Sequence, residues 1–304
     1  MSFDLYFCWR KPERINFEEV KEWAGVECFT PHAAQLYYSN PKTGVYFSFD
    51  FEPQAPESPE DGPYLPEGYF DSGLSFNLNY LRPSYFGFEA MPIVEKLASR
   101  FGLHLVNPQE KYDGPVPAIA ADSKVLIRSW IDSNRSAILS TIKQPNSKRP
   151  LSMSPAASIY LWRYQKAKED LERACGEAVF VPSLAPVQRK GEKIAGRAIT
   201  YTQGLPMIVP ECEWVFLVRP KKGLFRSKKD PDVDAISGET FREVLASYVK
   251  PFHSQEPAVQ IINPDLAEKA GKATRAIDRT LPRSEFEVVG MDSFVDIDLP
   301  SASG

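Results

Sequence analysis

Histidine is scarce: His32, His104 and His253 are the only three in 304 residues, and no two are close in sequence. No His-x-His and no His-Glu-x-x-His occurs, which removes the common zinc-hydrolase patterns. The four cysteines, Cys8, Cys28, Cys175 and Cys212, stand far apart with no Cys-x-x-Cys pair. They read as small buried hydrophobes with reduced thiols. The chain has no G-x-S-x-G, no P-loop and no G-x-G-x-x-G after a strand. Enzymes built on a nucleophile elbow, a phosphate-cradling loop or a dinucleotide fold are therefore disfavoured, and no cofactor or metal is implied. No run approaches the roughly 18 apolar residues of a membrane helix. The opening MSFDLYFCWRKPER has no basic leader before an apolar core, so no signal peptide is expected and the expected location is the cytoplasm. A basic excess is also missing. Thirty-six lysines and arginines face 40 aspartates and glutamates, net −4, which argues against wholesale nucleic-acid binding.

What the chain does have is proline and aromatics. It holds 27 prolines, about 9% against a usual level of about 5%, with 19 phenylalanines and 13 tyrosines. Residues 2–9 (SFDLYFCW) read as a buried strand. Asn16 caps a helix, with Glu19 in the capping-box position and Gly25 as its stop. Residues 35–39 and 45–51 form a hairpin around the turn 40–44. In the second of these strands Val45, Phe47, Phe49 and Phe51 share one face, with Tyr46, Ser48 and Asp50 on the other. A proline-rich acidic loop follows at 52–72. A strand at 74–80, a helix at 86–101 ended by Gly102, and a strand at 103–106 complete a first domain at 1–112. The order strand, helix, three strands, helix, strand predicts an α+β fold of the ferredoxin-like plan, with an antiparallel sheet and two helices on one face.

Residues 113–121 read as a linker. The second domain, 122–304, is predicted as a helical hairpin plus an α+β region. Its first helix spans 122–143. The second is capped by Ser154, starts at Pro155 and closes at Gly176. Strands are expected at 179–181, 198–201, 207–209, 214–218, 259–262, 286–289 and 294–297, with helices at about 237–250 and 264–279.

Three charged features invite a functional reading. Asp230, Asp232 and Asp234 resemble the start of a calcium loop, but Ala235 and Phe241 stand where that loop needs glycine and glutamate, so a solvated acidic turn is the better reading. Asp296 and Asp298 would share one face of a strand, and the reading adopted is a solvated edge without metal. The segment 219–229 (RPKKGLFRSKK) is a basic loop with an apolar tip, balanced by the aspartates after it. Its exposed candidates for a partner are Lys221, Lys222, Phe225 and Arg226. On the first domain the candidates are Tyr46, Asp50 and Arg82 beside the acidic loop residues Glu57, Glu60 and Asp61, a mixture of aromatic and charged groups suited to protein contact.

The opening MSFDLYFCW, the run YYSNPKTGVYFSFDFE and the block LSFNLNYLRPSYFGFEAMPIVEKLASRFGL resemble the N-terminal region of bacterial proteins of the toxin-immunity type. The block carries an Arg-Pro-Ser and, at its helix start, a Glu-Ala. The resemblance covers about the first 110 residues and has no catalytic signature. It implies a protein that neutralises a toxin by masking its active site, and an acidic face suits a basic toxin such as a nuclease. The expected function is thus non-catalytic protein binding. The alternative is an enzyme, a hydrolase or nucleotide-modifying one, with dispersed catalysts in the second domain such as His253, Asp296 and Asp298. An RNA-binding regulator using the basic loop is disfavoured by charge.

Overall fold

The structure is a computed structural model that describes residues 1–25, 29–54, 64–112, 114, 116–144, 147–219, 232–252, 257–278 and 280–297. The chain is α+β and divides into two compact units, Met1–Arg149 and Pro150–Gly304. Among the described residues no helix is long and apolar enough to cross a membrane.

The first unit runs β1 (Ser2–Trp9), α1 (Phe17–Ala24), β2 (Phe29–His32), β3 (Gln35–Ser39), β4 (Tyr46–Phe51), β5 (Phe70–Asn79), α2 (Tyr85–Phe101), β6 (His104–Val106) and α3 (Ser123–Lys143). Its six strands form one sheet in the order β2-β3-β4-β5-β1-β6, and every neighbouring pair is antiparallel. Alternation does the sorting. Phe3, Leu5 and Phe7 of β1, Phe47 and Phe49 of β4, and Leu74, Phe76 and Leu78 of β5 are buried. All three helices meet this phenylalanine face. Phe17 of α1 stacks on Phe51 at 4.6 Å, Glu89 of α2 accepts from the Tyr38 hydroxyl, and Trp130 of α3 meets Phe3 edge-on at 6.0 Å. The opposite face carries no helix or strand of this unit among the described residues.

Helix ends follow the expected chemistry. Asn16 accepts from the Glu18 amide while its own side-chain amide donates to Glu19 at 3.0 Å, and Gly102 ends α2 in the left-handed conformation. Two expectations differ. The first sheet has one strand more than predicted, β2, whose FTPH sequence holds a proline and shows no alternation because it is the sheet's free edge. The unit also has a third helix, α3, which the sequence reading grouped with the second half. Trp130 is the physical reason. It is fully buried between Phe3 and Tyr80, stacking on Tyr80 at 5.7 Å.

The second unit runs α4 (Pro155–Cys175), β7 (Ala185–Arg189), β8 (Ala195–Thr202), β9 (Met207–Pro210), β10 (Trp214–Arg219), β11 (Asp232–Ser237), α5 (Gly238–Leu245), β12 (Lys250–Phe252), β13 (Val259–Ile262), α6 (Pro264–Thr274), β14 (Leu281–Pro282) and β15 (Phe286–Val288). Strands β12-β13-β9 make a small antiparallel sheet. The larger sheet has the order β14-β11-β10-β8-β7-β15, antiparallel except for the parallel pair of β8 and β10. Its two edge strands are joined by a single 3-10 turn, Arg283–Glu285, so one stretch of chain, 281–288, closes the sheet into a small barrel. Each wall sends a residue inward: Val187, Ala198, Phe216, Ala235 and Phe286 form one buried cluster. The Arg283 guanidinium lies over the Phe216 ring at 4.2 Å and covers one end of that cluster.

Several expectations are corrected in this unit. Residues 232–237 are strand β11, pairing with β10 from Trp214–Ser237 to Arg219–Asp232, so Asp232 and Asp234 of the expected acidic turn lie in a strand. The acidic side chains misled because only every second residue of that strand faces the barrel. Residues 179–181 and 294–297 form isolated bridges, Phe180 to Met207 and Val295 to Ser152, in place of full strands. Helix α5 stops at Leu245 and α6 at Thr274, both earlier than predicted. Helices α3 and α4, expected in one domain, belong to different units.

Candidate functional site

Period-two alternation also lays out the uncovered face of the first sheet. Register places Tyr37, Ser48, Asn77 and Asp4 in one row across β3, β4, β5 and β1. Gln35, Asp50, Ser75 and Tyr6 form the next row. The polar groups hold one another in place. Asp4 accepts from Asn77 at 2.7 Å and from Ser2 at 3.0 Å, and Asp50 accepts from Gln35 at 2.5 Å and Ser48 at 3.0 Å. At the end of the face β1 and β5 lose register between Tyr6 and Cys8, and Gly73 adopts φ +79°. A Cβ on Gly73 would lie 2.9 Å from Arg14 and 2.7 Å from the Glu52 carbonyl. The Arg14 side chain therefore crosses the bare glycine to reach Asp71 at 2.6 Å and the Gln54 carbonyl at 3.2 Å. The Tyr6 hydroxyl is pushed above its ordinary value, first by burial and then by the charges of Asp4, Glu52 and Asp71.

Of the residues singled out from sequence, Asp50 lies on this face. Tyr46 and Arg82 meet at one corner of the sheet: Arg82 donates twice to the Tyr46 hydroxyl, at 2.9 and 2.7 Å, and once to the Leu81 carbonyl. That corner is clamped from α3. Leu81 is the one non-glycine with positive φ, 62°, among the described residues, at a cost of about 1–2 kcal/mol. Asn134 accepts from its amide at 2.8 Å and donates to the Arg82 carbonyl at 2.8 Å. Asn134→Ala removes both bonds at a buried site and is expected to cost about 1–3 kcal/mol, read as a drop in the urea midpoint. An unchanged midpoint would mean that the turn holds itself. Glu57, Glu60, Asp61, Lys221, Lys222, Phe225 and Arg226 lie outside the described residues, as do His253, Asp298, Cys28 and Asp230. Asp296 is buried.

Sequence reasoning missed two buried polar nodes. Glu89, 8% exposed, takes three donors on one oxygen: Tyr38 at 2.9 Å, Asn40 at 2.6 Å and Thr43 at 3.1 Å. This ties α2 to the β3–β4 turn. In the second unit Arg197, 3% exposed, forks onto Glu213 at 2.6 and 3.1 Å, approaches Glu211 at 3.9 Å and stacks over Tyr160 at 4.8 Å. Burial alone would lower the Arg197 pKa; the Glu213 bond and charge, with the Glu211 charge beside them, offset this and raise it. Nothing in the run AGRAIT marks that arginine as buried.

Among the described residues no hydrogen bond joins a thiol to a histidine, although Cys8 and His104 are cross-strand neighbours. Cys8 and Cys212 are buried, and burial pushes both thiols up to about 12, with the Asp71 charge adding at Cys8 and the Glu213 charge at Cys212. Such thiols stay protonated near neutrality and are poor nucleophiles. His104 sits opposite Cys8 in the sheet and packs edge-on to Tyr69 at 5.2 Å. Among the described residues no three of His, Cys, Asp and Glu converge as a metal site.

No protein-family model matches the chain, and neither a curated protein nor a solved structure was found to match it.

Proposed function

We propose that the chain acts without catalysis, by binding another protein, and that it is an immunity protein which neutralises a cognate toxin by masking the toxin's active site. One observation carries the binding reading: among the described residues of the first unit all helices pack on one face of the sheet, and the other face is lined by tyrosines, carboxylates and amides fixed in register by cross-strand hydrogen bonds. Pre-ordered polar and aromatic groups lose little side-chain entropy on docking. The raised pKa values of the two buried thiols agree with a non-catalytic role. The toxin-immunity part rests on the resemblance of the first 110 or so residues. We also read the first sheet as a ferredoxin-like core widened at one edge by the β2–β3 hairpin. Its inner order β6-β1-β5-β4, with α1 and α2 on the two crossovers, supports that plan. The test is affinity purification of the tagged full chain from its own cells, with mass spectrometry of what elutes. One stoichiometric protein, encoded as a toxin, is the expected result; a chain that elutes alone at every salt concentration would sink the proposal.

A further inference from the structure

The uncovered face of the first sheet has an internal precedent for what it accepts. A cation already lies at its edge, Arg14, and it is not on a strand. It arrives from the β1–α1 connection, lies across the side-chain-free Gly73 and pairs with Asp71. That carboxylate is matched. Three others on the same face are not: Asp4 and Asp50 receive only the neutral donors Ser2, Asn77, Gln35 and Ser48, and Glu52 follows Asp50 at the same side-chain parity. Among the described residues no lysine or arginine lies within ion-pair distance of these three. A surface carboxylate bound only by neutral donors keeps its charge and its attraction for a cation. Here Asp4 and Asp50 are held in place on their strands by these donors, and Tyr6, in the row of Asp50 and next but one to Asp4 on β1, offers a π face to the same cation.

We infer that this face docks a protein surface that presents two or more arginine or lysine side chains, with Asp4, Tyr6, Asp50 and Glu52 as the contact residues and the Arg14–Asp71 pair as its pre-filled corner. The inference rests on the protein-binding reading above and names the chemistry of the partner. Attraction of this kind speeds encounter and fixes orientation, and it weakens with salt.

The experiment uses the full chain and a fluorescein-labelled nona-arginine peptide, read by anisotropy at low and at 300 mM salt, with three variants of known thermal stability. The triple variant Asp4→Asn, Asp50→Asn, Glu52→Gln keeps the neutral hydrogen bonds. The triple variant Glu57→Gln, Glu60→Gln, Asp61→Asn changes net charge by the same three units in the neighbouring loop. Ser75→Lys sets a cation in the row between Asp50 and Tyr6 and fills the face from within. The expected result is salt-sensitive binding that weakens at least tenfold in the first variant and in Ser75→Lys, and less than threefold in the loop variant. Equal losses in both triple variants would reduce the effect to net charge and overturn the inference, as would binding indifferent to all three. The two proposals fail separately. A partner recovered from cells that stays bound to the Asp4/Asp50/Glu52 variant leaves protein binding standing and removes the cationic reading of this face. Peptide binding that needs the intact face supports that reading even if no cellular partner elutes.

Discussion

Replacing Trp130 with alanine is expected to lower the stability of the first unit by about 3–5 kcal/mol, the range seen when a buried tryptophan is truncated. Trp130 is fully buried, stacks on Tyr80 at an interplanar angle of 3° and meets Phe3 edge-on. It is the pin that fastens α3 to the sheet. Its fit is made by a glycine: a Cβ on Gly87 would lie 2.1 Å from Trp130 Cδ1, so α2 and α3 approach closely only because position 87 has no side chain. Gly87→Ala is accordingly expected to destabilise by about 1–3 kcal/mol through overpacking. The two changes should couple. Once the indole is gone, the added methyl enters vacated space, and Gly87→Ala in the Trp130→Ala background should cost almost nothing. The Trp130 indole N–H has no hydrogen-bond partner among the described residues, so Trp130→Phe removes an unsatisfied donor along with the lost area and should cost far less than alanine. Urea unfolding, with hydrogen exchange to localise the loss to residues 1–149, measures the cycle. Additive losses would mean that the helices separate on other contacts.

The elements that were legible are those whose signal is local. Asn16, Glu19 and Gly25 bracket α1, and Ser154, Pro155 and Gly176 bracket α4, because each cap is satisfied within four residues. Alternation in VYFSFDF separated the buried phenylalanines from Asp50. Whatever depends on distant partners stayed hidden. Strand β14 is two residues long and exists only because β11 pairs with it; barrel closure needs residues 281–288 to reach both β11 and β7. The helix-free face was half legible: Asp50 could be placed on it from its own strand, whereas Asp4 and Tyr6 of β1 join it only through register with Asn77 and Ser75 of β5. The partner of Arg82 was hidden for the same reason. Only the fold brings Tyr46, 36 residues earlier, into its fork.

The second large effect is expected at Glu213. This residue is the principal counter-charge of Arg197, whose side chain is 4% exposed against 42% for the glutamate. Such an asymmetric pair predicts asymmetric mutants. Removing Arg197 leaves a carboxylate that water already reaches, so Arg197→Met should cost mainly the lost bonds. Glu213→Ala leaves the buried guanidinium with Glu211 at 3.9 Å and the Tyr160 ring as its remaining support. Stripping one partner from a buried pair typically costs about 3–5 kcal/mol. Glu211 holds this case near about 3 kcal/mol. Glu213 also accepts from the Arg197 backbone amide at 2.6 Å, so the double variant Arg197→Met, Glu213→Leu still loses that bond and should sit about 1–2 kcal/mol below the native chain, above Glu213→Ala alone. The damage would propagate. Glu213 leads into β10, its carbonyl receives the Gly238 amide at 2.7 Å, and a Cβ on Gly238 would lie 1.9 Å from the Cys212 carbonyl oxygen, so the start of α5 is packed directly on this strand entry. Hydrogen exchange in Glu213→Ala should therefore rise across β8, β10 and α5 together. Exchange confined to the mutated turn, or a Glu213→Ala no less stable than Arg197→Met, would show that the guanidinium reaches solvent and that the pair contributes no more than a surface ion pair.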